Sequence, residues 1–352
     1  MFGRRRRERS TSPELGIQRG LNAAQFARVA GTTYGIDQLP ITQGLAQLHA
    51  DVIASCELYA EDSTGRRVVN TPAVLVQPDP DEDRMVTLHK LVQSLWWEGN
   101  AYALVEFGSR FDVSVKILNP STVAHVPHPD PARDLEVAGW LVHGLPARAD
   151  QVNHWKLNDD PRRGPLGTSP LRRCWTALEN YCYAYNYLAR FYASGGNPTM
   201  VLRSTIPLVA TQATEAQAQW IAGAETIRVL DPQWLIEQGP AAQDIAQTIA
   251  VLDFAAAEVC RATNVAPSIA NVVSQGTMTY SNVRDELKRW TIISLRPTWL
   301  RRIEDGFTRL LAPGLRARFD VATLLEGVET LEGDVPALET VIAAPPPLLK
   351  AV

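Results

Sequence analysis

The chain has 352 residues, 45% of them hydrophobic and 20% charged, with a formal net charge of −4. That length allows a sizeable core and two or three sub-domains. The charge is too balanced for strong general nucleic-acid binding, and no apolar run nears the ~20 residues of a membrane span.

The opening "MFGRRRRERS" leads into polar, small-residue sequence with no signal-peptide pattern. Residues 1–39 read as a solvated, mobile arm, with an arm that touches nucleic acid as the sharper alternative. Ile41, Leu45, Leu48 and Val52 recur at helical spacing. "SCELYAED" and "RRVVN", joined by Ser63-Thr64-Gly65, read as a strand pair. A second helix places Met85, Leu88, Val92 and Leu95 on one face, and Gly99 is set to stop it in the left-handed conformation. From Asn100 to about Trp155 five short segments, "AYALVEF", "VSVKIL", "VAHVPH", "GWLVHG" and "VNHWK", predict a β-rich or α+β unit.

Long helices return after that. Ser169 suits an N-cap and Pro170 the first helical position, where its missing N–H costs nothing. Leu171, Trp175, Leu178, Cys182, Tyr185, Ala189 and Tyr192 then step by four and three, and between Tyr181 and Ala193 the helix is apolar nearly all round, so it should pack on several sides. "TMVLRS" and "RVLDPQWLIEQ" predict strands flanking a short helix, "TEAQAQWIAGAE". A helix over 242–264 places Ile245, Ile249, Leu252, Ala256 and Val259 at steps of four and three. Residues 265–279 are loop-like and contain no charged side chain. A last helix, about 280–311, buries Val283, Leu287, Trp290, Ile293, Leu300, Ile303, Phe307 and Leu310. Pro297 in its middle predicts a kink.

"RRGPLGTSPLRRCW", residues 162–175, invites comparison with a phosphate cradle. The pattern GxxxxGK[ST] requires glycines five positions apart and a lysine. Here Gly164 and Gly167 are too close, and no lysine lies between Lys156 and Lys288. A tight turn capped by Thr168 or Ser169 is the plainer reading. His125, His128, His143 and His154 share the β-rich segment, yet HExxH is absent and no cysteine is near to complete a common zinc set. GxSxG is missing too. Cys56, Cys174, Cys182 and Cys260 are far apart without CxxC spacing, and read as reduced core thiols of a protein made in the cytoplasm. No enzyme, cofactor or metal site is expected.

Six stretches carry a resemblance when taken in order: "WWEGNAYALVEF", "ILNPSTVAHV", "VNHWKLNDDPRRGPLGTSPL", "RFYASGGNPTMVL", "VCRATNVAPSIA" and "MTYSNVRDELKRWTIISLRPTWLRRIEDGFTRLL". Over residues 40–313 the chain resembles the portal proteins of tailed bacteriophages with HK97-type heads. The resemblance implies an α+β fold with a mixed wing (40–167), a first stem helix (168–196), a small clip (197–240), a second stem helix (241–264), a tunnel loop (265–279), a long kinked helix (280–313) and a reduced crown or tail (314–352).

It also implies function. Portals form dodecameric rings at one capsid vertex and pass double-stranded DNA through the axis. They meet the terminase large subunit, the major capsid protein or scaffold, and a head–tail adaptor, in the virion and earlier in the host cytoplasm, with no membrane involved. On this resemblance Asn271, Ser274, Gln275, Gly276, Thr277 and Met278 line the channel, an uncharged surface along which DNA slides. Trp175, Leu178, Tyr185, Leu188, Ile249 and Leu252 pack the stem between subunits. Gly164, Gly167, Ser169 and Pro170 form the stem cap and hinge, and Pro297 the kink. The competing readings are a terminase subunit, a cellular helical scaffold, or the portal of a gene-transfer particle.

Overall fold

The computed structural model describes residues 35–108, 113–193, 200–204, 234–238, 245–270 and 280–322, with a few single positions between. Its N-terminal body begins before the expected boundary. Ile36 and Leu39 are fully buried, so residues 35–39 are core rather than arm, held where the Thr42 hydroxyl donates to the carbonyls of Ile36 and Leu39. Residues 1–34 lie outside the described residues.

Helix α1 (Pro40–Ser55) packs against α2 (Arg84–Glu98). Leu45, Ala46, Ala50 and Ile53 face Leu88, Leu91, Val92, Leu95 and Trp96 in one cluster. Each large side chain buried there contributes about 1.5–3 kcal/mol. Met85, in the first turn of α2, is exposed instead of joining that face. Gly99 ends α2 at φ 72°, the left-handed region that glycine enters without penalty.

The chain then turns into strand β2 (Asn100–Phe107), which pairs antiparallel with β3 (Val113–Leu118) and β7 (Val152–Lys156) in the order β3-β2-β7. A second sheet is formed by β4 (Val123–Pro127), β5 (Val137–Val142) and β6 (Leu145–Ala147). Tyr102, Val123, Trp140, Val152 and Leu166 close a small core between the two.

Strand β1 (Glu57–Glu61) does not form the expected hairpin. Residues 62–68 return to it through a single bridge, Glu61 to Arg67. Its ladder partner is β10 (Arg316–Asp320), antiparallel with Leu58 opposite Phe319. Residues 316–320 were expected in the crown or tail; they close the N-terminal body instead, because Ala317 and Phe319 alternate inward and are buried. Polar neighbours and a five-residue length hide that alternation in the sequence.

Two long helices leave the body. Residues Pro170–Cys174 make a 3-10 turn that runs into α3 (Trp175–Ala193), and α4 (Ile245–Thr263) lies against α3. Between them the described residues include an antiparallel pair, β8 (Met200–Ser204) with β9 (Trp234–Gln238). Most of the expected short helix there lies outside the described residues.

The last helix is continuous but not uniform. α5 (Tyr280–Trp290) passes into a π-helical stretch, Thr291–Leu300, then α6 (Arg301–Thr308). Pro297 sits inside that stretch. Hydrogen bonds spaced by five residues re-time the buried stripe: Trp290, Leu295 and Leu300 are buried at steps of five, as are Ser294 and Trp299. Ile293, expected inward from steps of three and four, therefore faces solvent.

Candidate functional site

The loop ahead of α3 is where the sequence raised a choice between anion cradle and turn. Its amides are already engaged. Asn100 accepts from the Gly167 N–H at 2.7 Å through Oδ1 and donates through Nδ2 to the Gly167 carbonyl at 3.0 Å. The Thr168 N–H donates to the Leu157 carbonyl at 2.7 Å. Ser169 Oγ accepts from the Leu171 N–H and donates to the Trp96 carbonyl at 2.7 Å. The two chain segments approach so closely that a Cβ on Gly167 would meet the Gly99 carbonyl at 2.3 Å, and a Cβ on Gly99 would meet the Thr168 backbone at 2.2 Å. With those N–H groups turned inward, the loop is a joint that fixes the start of α3 to the end of α2. Gly164, at φ 81°, ends the preceding turn, and Pro170 and Ser169 are both buried.

The arginines around the joint are engaged locally. Arg162 lies in a bidentate pair with Asp160, and Arg173 donates to Asn158 Oδ1 at 2.7 Å. The four histidines do not converge. His154 Nε2 meets Asn100 Oδ1 at 2.9 Å and its ring stacks on Tyr102. His128 accepts from the Asp130 N–H, while His125 is buried and His143 holds a left-handed turn. Among the described residues no cluster of His, Cys, Asp and Glu is placed to hold a metal ion, and no helix is long and apolar enough to cross a membrane. All four cysteines are free and buried; burial pushes each thiol up, that of Cys174 to about 12.

The paired helices split the expected stem residues into two groups. Leu178 is fully buried beside Leu171, Cys182, Ala256, Val259 and Cys260, so it packs within the chain. Trp175 and Tyr185 lean on that same cluster half-buried, and Leu188 and Leu252 are also half-buried. Ile249 is exposed; Thr248 turns inward in its place. What the helices leave in solvent is a second apolar set: Tyr183 (51% exposed), Tyr192, Val251 and Phe254 (67%). Between the helices runs a groove of about 310 Å³ lined by Asn180, Tyr183, Ala184, Tyr187, Thr248 and Val251.

Beyond α4 the expected tunnel loop starts as a packed turn. Val265 is buried, its N–H bonded to the Cys260 carbonyl, and Ile269, Ala270 and Val272 lean on the main core. The Ser268 hydroxyl donates to Glu286 of α5. Asn271, Ser274, Gln275, Gly276, Thr277 and Met278 lie outside the described residues.

Comparison with known proteins gives this architecture a place. A family model described as "Phage portal protein" matches residues 43–332. The chain belongs to the phage portal protein family. A curated relative, the probable portal protein of Streptomyces phage phiC31, is 25% identical over 293 residues, 78% of this chain and 64% of that one. The chain thus spans less than two thirds of that relative's length.

Solved structures share the fold of this portal at low identity. An HK97-family phage portal protein from Corynebacterium diphtheriae aligns at TM-score 0.63 and 14% identity, over 86% of this chain and 96% of its own. The neck of a native gene transfer agent particle, computed with C12 symmetry, aligns at TM-score 0.55 and 15% identity over 86% and 88%. Family membership sets aside the terminase and cellular-scaffold readings.

Sequence reasoning missed Tyr183, Val251 and Phe254 as the portal's exposed apolar set. Tyr183 carried a signal, since it lies in the stretch of α3 that is apolar all round. Phe254 carried a fainter one: an aromatic off the buried stripe of α4.

Proposed function

We propose that this portal subunit closes with further copies of itself into a ring at one vertex of a capsid, and that double-stranded DNA enters and leaves through the ring's axis. The observation that carries the reading is the second apolar set on the paired helices. In a single chain Tyr183, Tyr192, Ile249, Val251 and Phe254 are exposed although Leu178, Cys182, Ala256 and Val259 already pack α3 on α4. Apolar aromatics left on the outside of a helix pair mark an association surface. A head-to-tail contact between copies generates a ring when the rotation closes. Twelve copies is the expected number.

Residues 265–279 carry no charge, which suits a surface that DNA passes without being held, since each phosphate neutralised by a cation strengthens binding. The terminase large subunit, the capsid protein or scaffold and a head–tail adaptor are the expected partners, in the virion and in the host cytoplasm during assembly. Negative-stain microscopy of the purified full chain tests the ring: annular particles are expected, and a sample monomeric at every concentration would overturn it. Deleting residues 272–277 tests the channel role; unchanged DNA packaging and retention would remove it.

The portal of a gene-transfer particle is the second reading, favoured by the neck structures among the fold relatives. Sequencing the DNA inside purified particles separates the two, because host fragments and a phage genome give different results.

A further inference from the structure

The body of the chain contains a buried polar cluster that the ring and the channel leave unused. His49, on α1, is fully buried. Three tryptophans surround it: Trp96 of α2 at 5.0 Å between ring centroids, Trp290 at the end of α5 at 5.5 Å, and Trp299 of the π-helical stretch at 4.8 Å. Nδ1 lies 2.7 Å from the Leu45 carbonyl. A carbonyl only accepts, so Nδ1 carries the proton and Nε2 of the neutral ring offers a lone pair.

Among the described residues, His49 Nε2, Trp96 Nε1 and Trp290 Nε1 have no hydrogen-bond partner although all three atoms are buried. An unpaired buried polar atom costs about 1–3 kcal/mol. The three atoms are complementary in kind: two donors and one acceptor. One lone pair on Nε2 cannot satisfy both indoles directly. A water molecule satisfies all three, accepting from each indole N–H and donating to Nε2. Three bonds is the usual number for a buried water. The imidazole is in ring contact with both indoles, at 5.0 and 5.5 Å between centroids, and a water bonded at about 2.9 Å to each of two nitrogens joins nitrogens up to about 5.8 Å apart.

We propose that His49, Trp96 and Trp290 form an internal site for one water molecule that ties the long C-terminal helix to α1 and α2, and that a proton on His49 Nε2 dissolves the tie. Protonated, Nε2 becomes a third donor directed at a site that then offers the water no acceptor. The site lies where the π-helical stretch meets the body, and π-helical turns inside α-helices are frequent at functional sites. The charged and titratable side chains described on the elements that carry the four rings are Asp51 on α1, Arg84, His89, Lys90 and Glu98 on α2, Asp285, Glu286, Lys288 and Arg289 on α5, and Arg296 on the π-helical stretch. None of these is buried, and only burial and the Leu45 carbonyl act on the imidazole.

Ultraviolet resonance Raman reads the hydrogen bonding of indole N–H groups in the assembled full-length protein. Difference spectra between the native chain and Trp96→Phe or Trp290→Phe isolate each ring. At neutral pH both indoles are expected to be hydrogen-bonded. One bonded and one free, or both free, would overturn the proposal. For the proton-dependent step, hydrogen exchange is followed from pH 7 to pH 4. The expected result, taken relative to the intrinsic amide exchange rate at each pH, is at least a ten-fold loss of protection in 291–300 while β2 stays protected, and loss of that pH dependence in His49→Gln. Acceleration spread evenly over the chain, or none, would overturn it.

Discussion

Gly306 offers the sharpest test of how the long helix is held. It lies in α6, and a Cβ there would meet Trp155 Nε1 at 1.8 Å and Trp155 Cδ1 at 2.2 Å. Trp155 cannot step aside: it is buried against Phe307 at 5.3 Å between ring centroids, and its N–H donates to the Ile303 carbonyl at 3.2 Å. Gly306→Ala therefore forces the helix off β7. Overpacking costs about 1–3 kcal/mol and the displaced indole bond about 1 more, while the better helix propensity of alanine returns about 1. The net loss is about 1–3 kcal/mol. Gly44 is the matched control, because nothing lies within 4 Å of its added Cβ and it sits in the exposed face of α1. Gly44→Ala should stabilise by about 0.5–1 kcal/mol. Calorimetry of both variants at equal protein concentration, so that any assembly contributes alike, should show melting points moving in opposite directions. A Gly306→Ala melting point at or above the native one would refute the close packing of α6 on β7.

Phe254→Asp and Tyr183→Asp should leave folded subunits that fail to associate, seen as monomers by light scattering with an unchanged circular dichroism spectrum; intact rings would contradict the association surface. Asn100→Ala removes the side chain that bridges Gly167 and His154 and should cost about 3 kcal/mol in denaturant unfolding. Glu304 is buried, and its carboxylate accepts from Arg318 at 2.8 Å and from the Phe319 N–H at 3.0 Å. Glu304→Ala takes one carboxylate from Arg318, which keeps Glu61 at 3.2 Å, and orphans the buried Phe319 N–H, so it should cost about 1–3 kcal/mol, releasing β10 to proteolysis. Burial lowers His49 to about 4, while in the unfolded chain a histidine takes its proton near pH 6.5. The neutral ring therefore contributes stability fully above that pH and loses it as the pH falls towards 4, about 2 kcal/mol of it by pH 5. His49→Gln should flatten that part of the pH profile.

Local patterns carried much of the fold. The stop at Gly99, the Ser169 cap and the strands of the two small sheets were legible because each depends on neighbours within a few residues. The pairing of β1 with β10 was not, since it joins segments more than 250 residues apart in a chain read singly. Ile293 was misplaced. The buried stripe of α4 runs through Thr248, a polar residue that a hydrophobic count passes over, and leaves Ile249 exposed. On the long helix the period itself changes from steps of three and four to steps of four and five. For the association surface the sequence showed how much of α3 is apolar, and only the structure divides it into a filled seam and an unfilled outer set.

The closure of β1 by β10 has a consequence for synthesis. The paired helices and the strands between them are an insertion in the body that the two strands complete. At about 5–20 residues per second, the ribosome delivers Asp320 roughly 15–50 s after Glu57. Until then β1 has an unsatisfied edge, so the helix pair emerges and can fold first while the body waits for its last strand.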